Sequence, residues 1–162
     1  MLGLELREEF RGKRLKGTQI ELPSAVAVAA ADFLRITYPT GDVLTAIEAI
    51  GPSQGRPIVL IGERGQGKSH LLAALVHALR DEPATRSWLS DWADRLGAPK
   101  VATIPLRAGM HVISENLHRQ SYKFLWDLLF ERHPKGEYIK GKWEAQGEKK
   151  TNVPGYELLK EL

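Results

Sequence analysis

The sequence predicts an α/β fold with helices on both faces of a short parallel sheet, and three features carry that expectation. First, Pro57-Ile58-Val59-Leu60-Ile61 is an unbroken apolar run, rich in β-branched side chains and bounded by Pro57 and Gly62. That is the pattern of a strand buried on both faces. Second, a glycine-rich stretch follows it and leads into Lys68–Arg80, where Leu71, Leu72, Leu75, Val76 and Leu79 recur at helical spacing. Strand, loop and helix make one βα unit. Third, Val101–Leu106 is a further apolar run that supplies a second strand, with Pro105 limiting its last residues.

The remaining elements follow in chain order. Residues 1–22 mix charge with isolated apolar positions, and Gly12 and Gly17 interrupt any helical pattern. They predict a short helix or turn and then a brief strand at Thr18–Leu22. Pro23-Ser24 opens an alanine-rich helix over Ala25–Phe33, with Ser24 placed to cap it. Ile36–Asp42 is turn chemistry, and Tyr38 before Pro39 is held to extended backbone. Thr40 or Asp42 caps a helix over Val43–Ile50, which Gly51-Pro52 ends, and Ser53–Arg56 is a polar loop. Trp88, Leu89, Trp92 and Leu96 predict a second long helix closed by Gly97. Another runs from about Ser114 to Arg132, with an apolar arc wide enough for burial on more than one side. From His133 to Val153 the periodicity dissolves into Pro, Gly, Lys and Glu, which predicts a mobile basic loop. A last helix begins near Tyr156.

The 162 residues, 43% hydrophobic and 27% charged, suit one compact domain with one core. Lys and Arg number 23 against 20 Asp and Glu, a formal charge of +3 that permits an acidic partner without demanding one. The chain has no cysteine. Disulfide frameworks, cysteine-ligated zinc, iron–sulfur clusters and thiol catalysis are therefore excluded. No run approaches the ~18–20 apolar residues of a membrane helix, and no signal sequence is recognisable. The expectation is a cytoplasmic protein with no membrane partner.

One motif carries chemistry. Gly62-Glu63-Arg64-Gly65-Gln66-Gly67-Lys68-Ser69 fits G-x-x-x-x-G-K-[ST], the phosphate-binding P-loop. Its glycines adopt backbone angles closed to other residues and bring amides within reach of phosphate oxygens. The amides of Arg64, Gly65, Gln66, Gly67, Lys68 and Ser69, with the positive end of the following helix, form an anion cradle. Lys68 extends over the β- and γ-phosphates and is the catalytic candidate, Ser69 is the expected Mg²⁺ ligand, and His70 closes the candidate nucleotide-binding set. With that motif the expected architecture is a three-layer P-loop NTPase fold with an incomplete parallel sheet and a helical N-terminal extension. Residues 1–52 form the extension packing on the core, and residues 53–162 form the core. Hydrolysis normally uses an acid at the end of a second buried strand, and no four apolar residues followed by Asp or Glu occur after the loop.

Taken together, Thr37-Tyr38-Pro39-Thr40, the Ile58–Leu72 segment with its P-loop, and Arg132-His133-Pro134-Lys135-Gly136-Glu137 through Gly141-Lys142-Trp143 resemble a known group. The chain is similar to the large AAA-like ATPases of uncharacterised function encoded in bacterial anti-phage defence clusters. Those proteins accompany DNA methyltransferases and helicases, as in BREX-type systems. The resemblance covers most of the chain, and only the P-loop is a strong motif within it. It implies ATP and Mg²⁺ as cofactors, Lys68 and Ser69 as nucleotide residues, and a longer protein whose Walker B strand follows Tyr156–Leu162, this chain being truncated before it. A homo-oligomer or multi-protein defence complex, with DNA reached through the intact complex, follows from the same resemblance.

Two other functions use such a loop: a small-molecule or nucleotide kinase, and a non-catalytic nucleotide-sensing or DNA-bound scaffold. Outside the loop, the sequence offers Tyr38 against an adenine or packed in a turn, and Arg107 as a phosphate sensor at a strand end. The Lys-rich loop 135–150, with Tyr138 and Trp143, either touches nucleic-acid backbone or is solvated. Trp88, Trp92, Trp126 and Tyr122 fall at helical spacing and are read as core rather than a base-stacking platform. His70 and His77, like His111 and His118, stand seven apart, too far for a helical metal pair. No Asn-Lys-x-Asp motif is present, which favours ATP over GTP.

Overall fold

The computed structural model describes residues 22–51, 57–107, 109–115, 122–147 and 152–162. The strand predicted at Thr18–Leu22 falls, except for Leu22, outside them, as do the Ser53–Arg56 loop and the boundary placed at residue 52. Leu22 itself opens a helix.

The single helix expected over Ala25–Phe33 is two, α1 (Leu22–Ala27) and α2 (Ala30–Arg35), separated by Val28-Ala29. A continuous helix would bond the carbonyls of Ala25 and Val26 to amides four residues on. Instead they face side-chain donors from far along the chain: His77 Nε2 donates to Ala25 O at 2.9 Å, and Arg80 Nη1 approaches Val26 O at 3.5 Å. Ser24 lies inside the first turn of α1 and caps nothing. Beyond α2, the Thr37 hydroxyl donates to Phe33 O at 2.9 Å, and Trp88 Nε1 donates to Thr37 O at 3.2 Å. Thr40 then caps α3 (Gly41–Ile50), its Oγ1 accepting from Val43 N at 3.3 Å.

Helix α4 (Lys68–Arg80) is central, packing against α1, α2, α3 and α5 (Glu82–Leu96), with every residue from Ala73 to Ala78 buried. Alanines at 73, 74 and 78 let the neighbours approach closely. Asp81 caps α5 by accepting from Ala84 N at 3.0 Å, and α5 ends at Gly97 as expected. Phe33, Leu34, Ile47 and Leu89 are the largest apolar side chains sealed in this core.

The α/β expectation is overturned. Among the described residues every regular element is helical and no strand or sheet is present. The reason lies in the missing ladder. Pro99–Val101 is a 3₁₀ turn, and Arg86 Nη1 takes Ala102 O and Ile104 O at 3.0 and 2.9 Å. The second strand candidate is thereby bound to α5 through the carbonyls a sheet would use. Residues 57–61 are irregular and uncovered, with Val59 78% and Ile61 92% exposed.

The C-terminal third also departs from expectation. Of the helix foreseen from Ser114 to Arg132, residues 116–121 lie outside the described residues, and among those described α6 (Leu125–Arg132) is the regular part, starting after an extended Phe124 whose amide donates to the Asp127 carboxylate at 2.9 Å. Within the foreseen mobile loop lies α7 (Gly136–Glu144), held by Ile139, which is fully buried with Phe130 and Leu158 of α8 (Tyr156–Leu159). Gly136 makes the corner possible, since a Cβ there would stand 2.1 Å from Phe130 O. No helix among the described residues is long and apolar enough to cross a membrane.

Candidate functional site

Residues 62–67 form an exposed turn that ends at the first residue of α4. Gly65 and Gly67 have φ of +86° and +79°, angles that a side chain strongly disfavours and glycine accepts. Gln66 closes the turn, its Oε1 accepting from Glu63 N at 3.0 Å. Lys68, half-buried, folds back over the same turn. Its Nζ donates to Gly62 O at 2.7 Å and to Glu63 O at 2.5 Å. An ammonium has three N–H donors, so one remains for a ligand. Ser69, in the first turn of α4, is exposed.

His70 sits otherwise than as a nucleotide contact. Its Nε2 is 3.0 Å from Thr37 Oγ1, and its ring lies 4.7 Å from that of Phe33, which contacts His77 at 4.8 Å on the same helix. Because the Thr37 hydroxyl spends its proton on Phe33 O, the Thr37 oxygen accepts from His70, which assigns the Nε2–H tautomer. Burial pushes the His70 pKa down. The residue ties the first turn of α4, and with it the loop, to the segment after α2.

Beside the loop is a cleft of about 420 Å³ between α3, residues 58–61 and the start of α4. Gln66, Gly67 and Lys68 form one edge, Leu71 lies on α4, and Asp42, Thr45, Ala46 and Ala49 come from α3. Sequence reasoning missed the α3 residues. Their signal was the 42, 45, 46, 49 spacing, which puts all four on one helical face.

The structure brings together Gly62, Arg64, Gly65, Gln66 and Gly67 in the turn with Lys68 and Ser69 at the start of α4, and leaves the other candidates elsewhere. Tyr38 meets Trp92 edge-on at 5.0 Å and does not line the cleft; neither does Arg107. Trp88 is in the core as expected, and Trp126 stacks on Phe124 at 4.4 Å. Lys142 Nζ bonds both carboxylate oxygens of Glu161 at 2.7–2.8 Å, and Lys135 Nζ bonds Glu161 O at 3.0 Å. His111 meets His133, a contact no helical spacing reveals, with ring centroids 5.1 Å apart. Ser69 alone offers one oxygen for Mg²⁺, which suits an ion that keeps several waters and takes further ligands from phosphate. Compared with known proteins, the chain matches no family model, no curated protein and no solved structure.

Proposed function

We propose that the chain binds Mg-ATP through the Gly62–Ser69 loop, as the nucleotide-binding part of an AAA-like ATPase of bacterial anti-phage defence. The observation that carries the reading is the loop folded around Lys68. Two carbonyls orient the ammonium, and two left-handed glycines turn the backbone ahead of a thirteen-residue helix. Such a loop gives a polyphosphate oriented amides, the positive end of a helix and one fixed cation. Ser69 would hold Mg²⁺ through its hydroxyl, and the ion would neutralise charge on the terminal phosphates. The reading rests on this loop and not on a sheet.

Hydrolysis belongs, in this proposal, to a longer protein that supplies the activating acid. The defence context, an oligomeric state and access to DNA through partners rest on the sequence resemblance. Transfer to a small acceptor is the weaker reading, because it calls for clustered arginines closing on the phosphate, and residues 135–150 offer lysines instead, of which Lys135 and Lys142 are engaged with Glu161.

Equilibrium binding of a fluorescent ATP analogue, with and without Mg²⁺, tests the proposal against Lys68→Ala with GTP as competitor. Saturable, Mg²⁺-enhanced binding that Lys68→Ala weakens by at least ~100-fold is expected, a loss of about 2.7 kcal/mol. Binding that Lys68→Ala leaves intact overturns it.

A further inference from the structure

The cleft beside the loop has the size and character of a small-molecule pocket rather than of a packing defect. Its volume of about 420 Å³ lies within the range of ligand sites, and its lining is mainly apolar with a few polar groups. Lys68 and Gly67 belong to the loop and line the cleft as well, so the two spaces are continuous. A polyphosphate held on the loop therefore carries whatever is attached to it either into this cleft or into solvent.

The lining chemistry selects among attachments. Ala46, Ala49, Ile58 and Leu71 offer aliphatic surface without side-chain hydrogen-bonding groups, suited to the faces of a flat heterocycle. Asp42 and Thr45 are exposed on α3 at the same cleft, and the Asp42 carboxylate has no hydrogen-bond or ion-pair partner among the described residues. A carboxylate accepts from hydroxyls and repels phosphate. The cleft thus holds one cation suited to the phosphates and one acceptor suited to a sugar.

We infer that this cleft is the nucleoside half of the site, taking a purine ribonucleoside with its base on the aliphatic wall and its ribose hydroxyls on Asp42 and Thr45. The inference rests on the phosphate-loop reading above and adds to it the residues that distinguish a nucleotide from a bare polyphosphate. Tyr38, turned toward Trp92, has no part in it.

Isothermal titration of the full chain with ATP and with inorganic tripolyphosphate, both with Mg²⁺, separates the two halves. ATP is expected to bind at least ~10-fold more tightly than tripolyphosphate, since a buried heterocycle and two hydroxyl contacts contribute beyond the phosphates. Ala49→Trp, which fills the cleft, is expected to abolish that preference while tripolyphosphate affinity changes less than ~2-fold. Asp42→Asn alters an exposed side chain without threatening the fold. It is expected to cut the preference at least ~3-fold by weakening ATP binding, leaving tripolyphosphate binding the same or tighter. Equal affinity for ATP and tripolyphosphate in the unaltered chain overturns the inference while leaving the phosphate reading intact. So does a preference that survives both substitutions. If neither ligand binds in a Lys68-dependent way, the phosphate reading falls and the nucleoside half falls with it.

Discussion

Thr37 carries more of the fold than its place in a turn suggests. It is 1% exposed, and its Oγ1 both donates to Phe33 O and accepts from His70 Nε2. Thr37→Val keeps the shape and removes both bonds, leaving the His70 imidazole N–H without a partner and the Phe33 carbonyl with the Ile36 amide alone. The expected loss is about 1–3 kcal/mol, read as a lower urea midpoint at unchanged slope. Burial of the same imidazole makes stability depend on pH. Burial lowers the His70 pKa, and burial with the neighbouring His111 and Lys135 charges lowers that of His133. Both imidazoles are thus held neutral in the folded chain, and the unfolded chain takes up protons first as pH falls. Stability is complete above the ordinary histidine pKa of about 6.5 and declines below it. Melting temperature should be lower at pH 5.5 than at 7.5, with a smaller difference in His70→Gln. A melting temperature unchanged between the two pH values would refute the linkage.

At the scale of elements, local signals fared best where one segment contained all of its own information. The Thr40 cap, the Lys68–Arg80 helix and the Gly97 stop were legible because caps and periodicity act within a few residues. Helix α7 was not, since its lysines, glycines and glutamates hid the Ile139 and Trp143 spacing that packs against Phe130. The α6–α7 corner yields a sharp expectation. Gly136→Ala must displace the Phe130 carbonyl and should cost about 1–3 kcal/mol. Tryptophan emission from Trp126 and Trp143 would report a looser corner, whereas a variant as stable as the parent would show that the approach can relax. The α1–α2 break was equally hidden. His77 and Arg80, which hold its carbonyls, are about fifty residues away in the chain.

Over the whole molecule, the exposed apolar run beside the candidate site sets solution behaviour. Val59 and Ile61 are 78% and 92% exposed, and Ile58 is 37% exposed next to them. Such a β-branched segment associates with its own kind, since uncovered apolar surface is driven out of water. Ile61→Lys touches no packed contact and should alter stability by less than ~0.5 kcal/mol. Light scattering at rising concentration should fall relative to the parent chain. Equal scattering by the two would place the sticky surface elsewhere.

What the sequence by itself determined was local: the loop whose glycines must take left-handed angles, the lysine that follows them, and the helices whose caps and apolar spacing lie within one segment. Tertiary structure alone decided that no sheet forms among the described residues, that α3 walls a cleft beside Lys68, that Tyr38 turns toward Trp92 and that His70 belongs to Thr37. The division has one physical cause. A helix satisfies its backbone within itself, so its signal is written in consecutive residues. A strand or a pocket exists only through partners distant in the chain, and an apolar run such as 57–61 states that burial is favourable without stating against what.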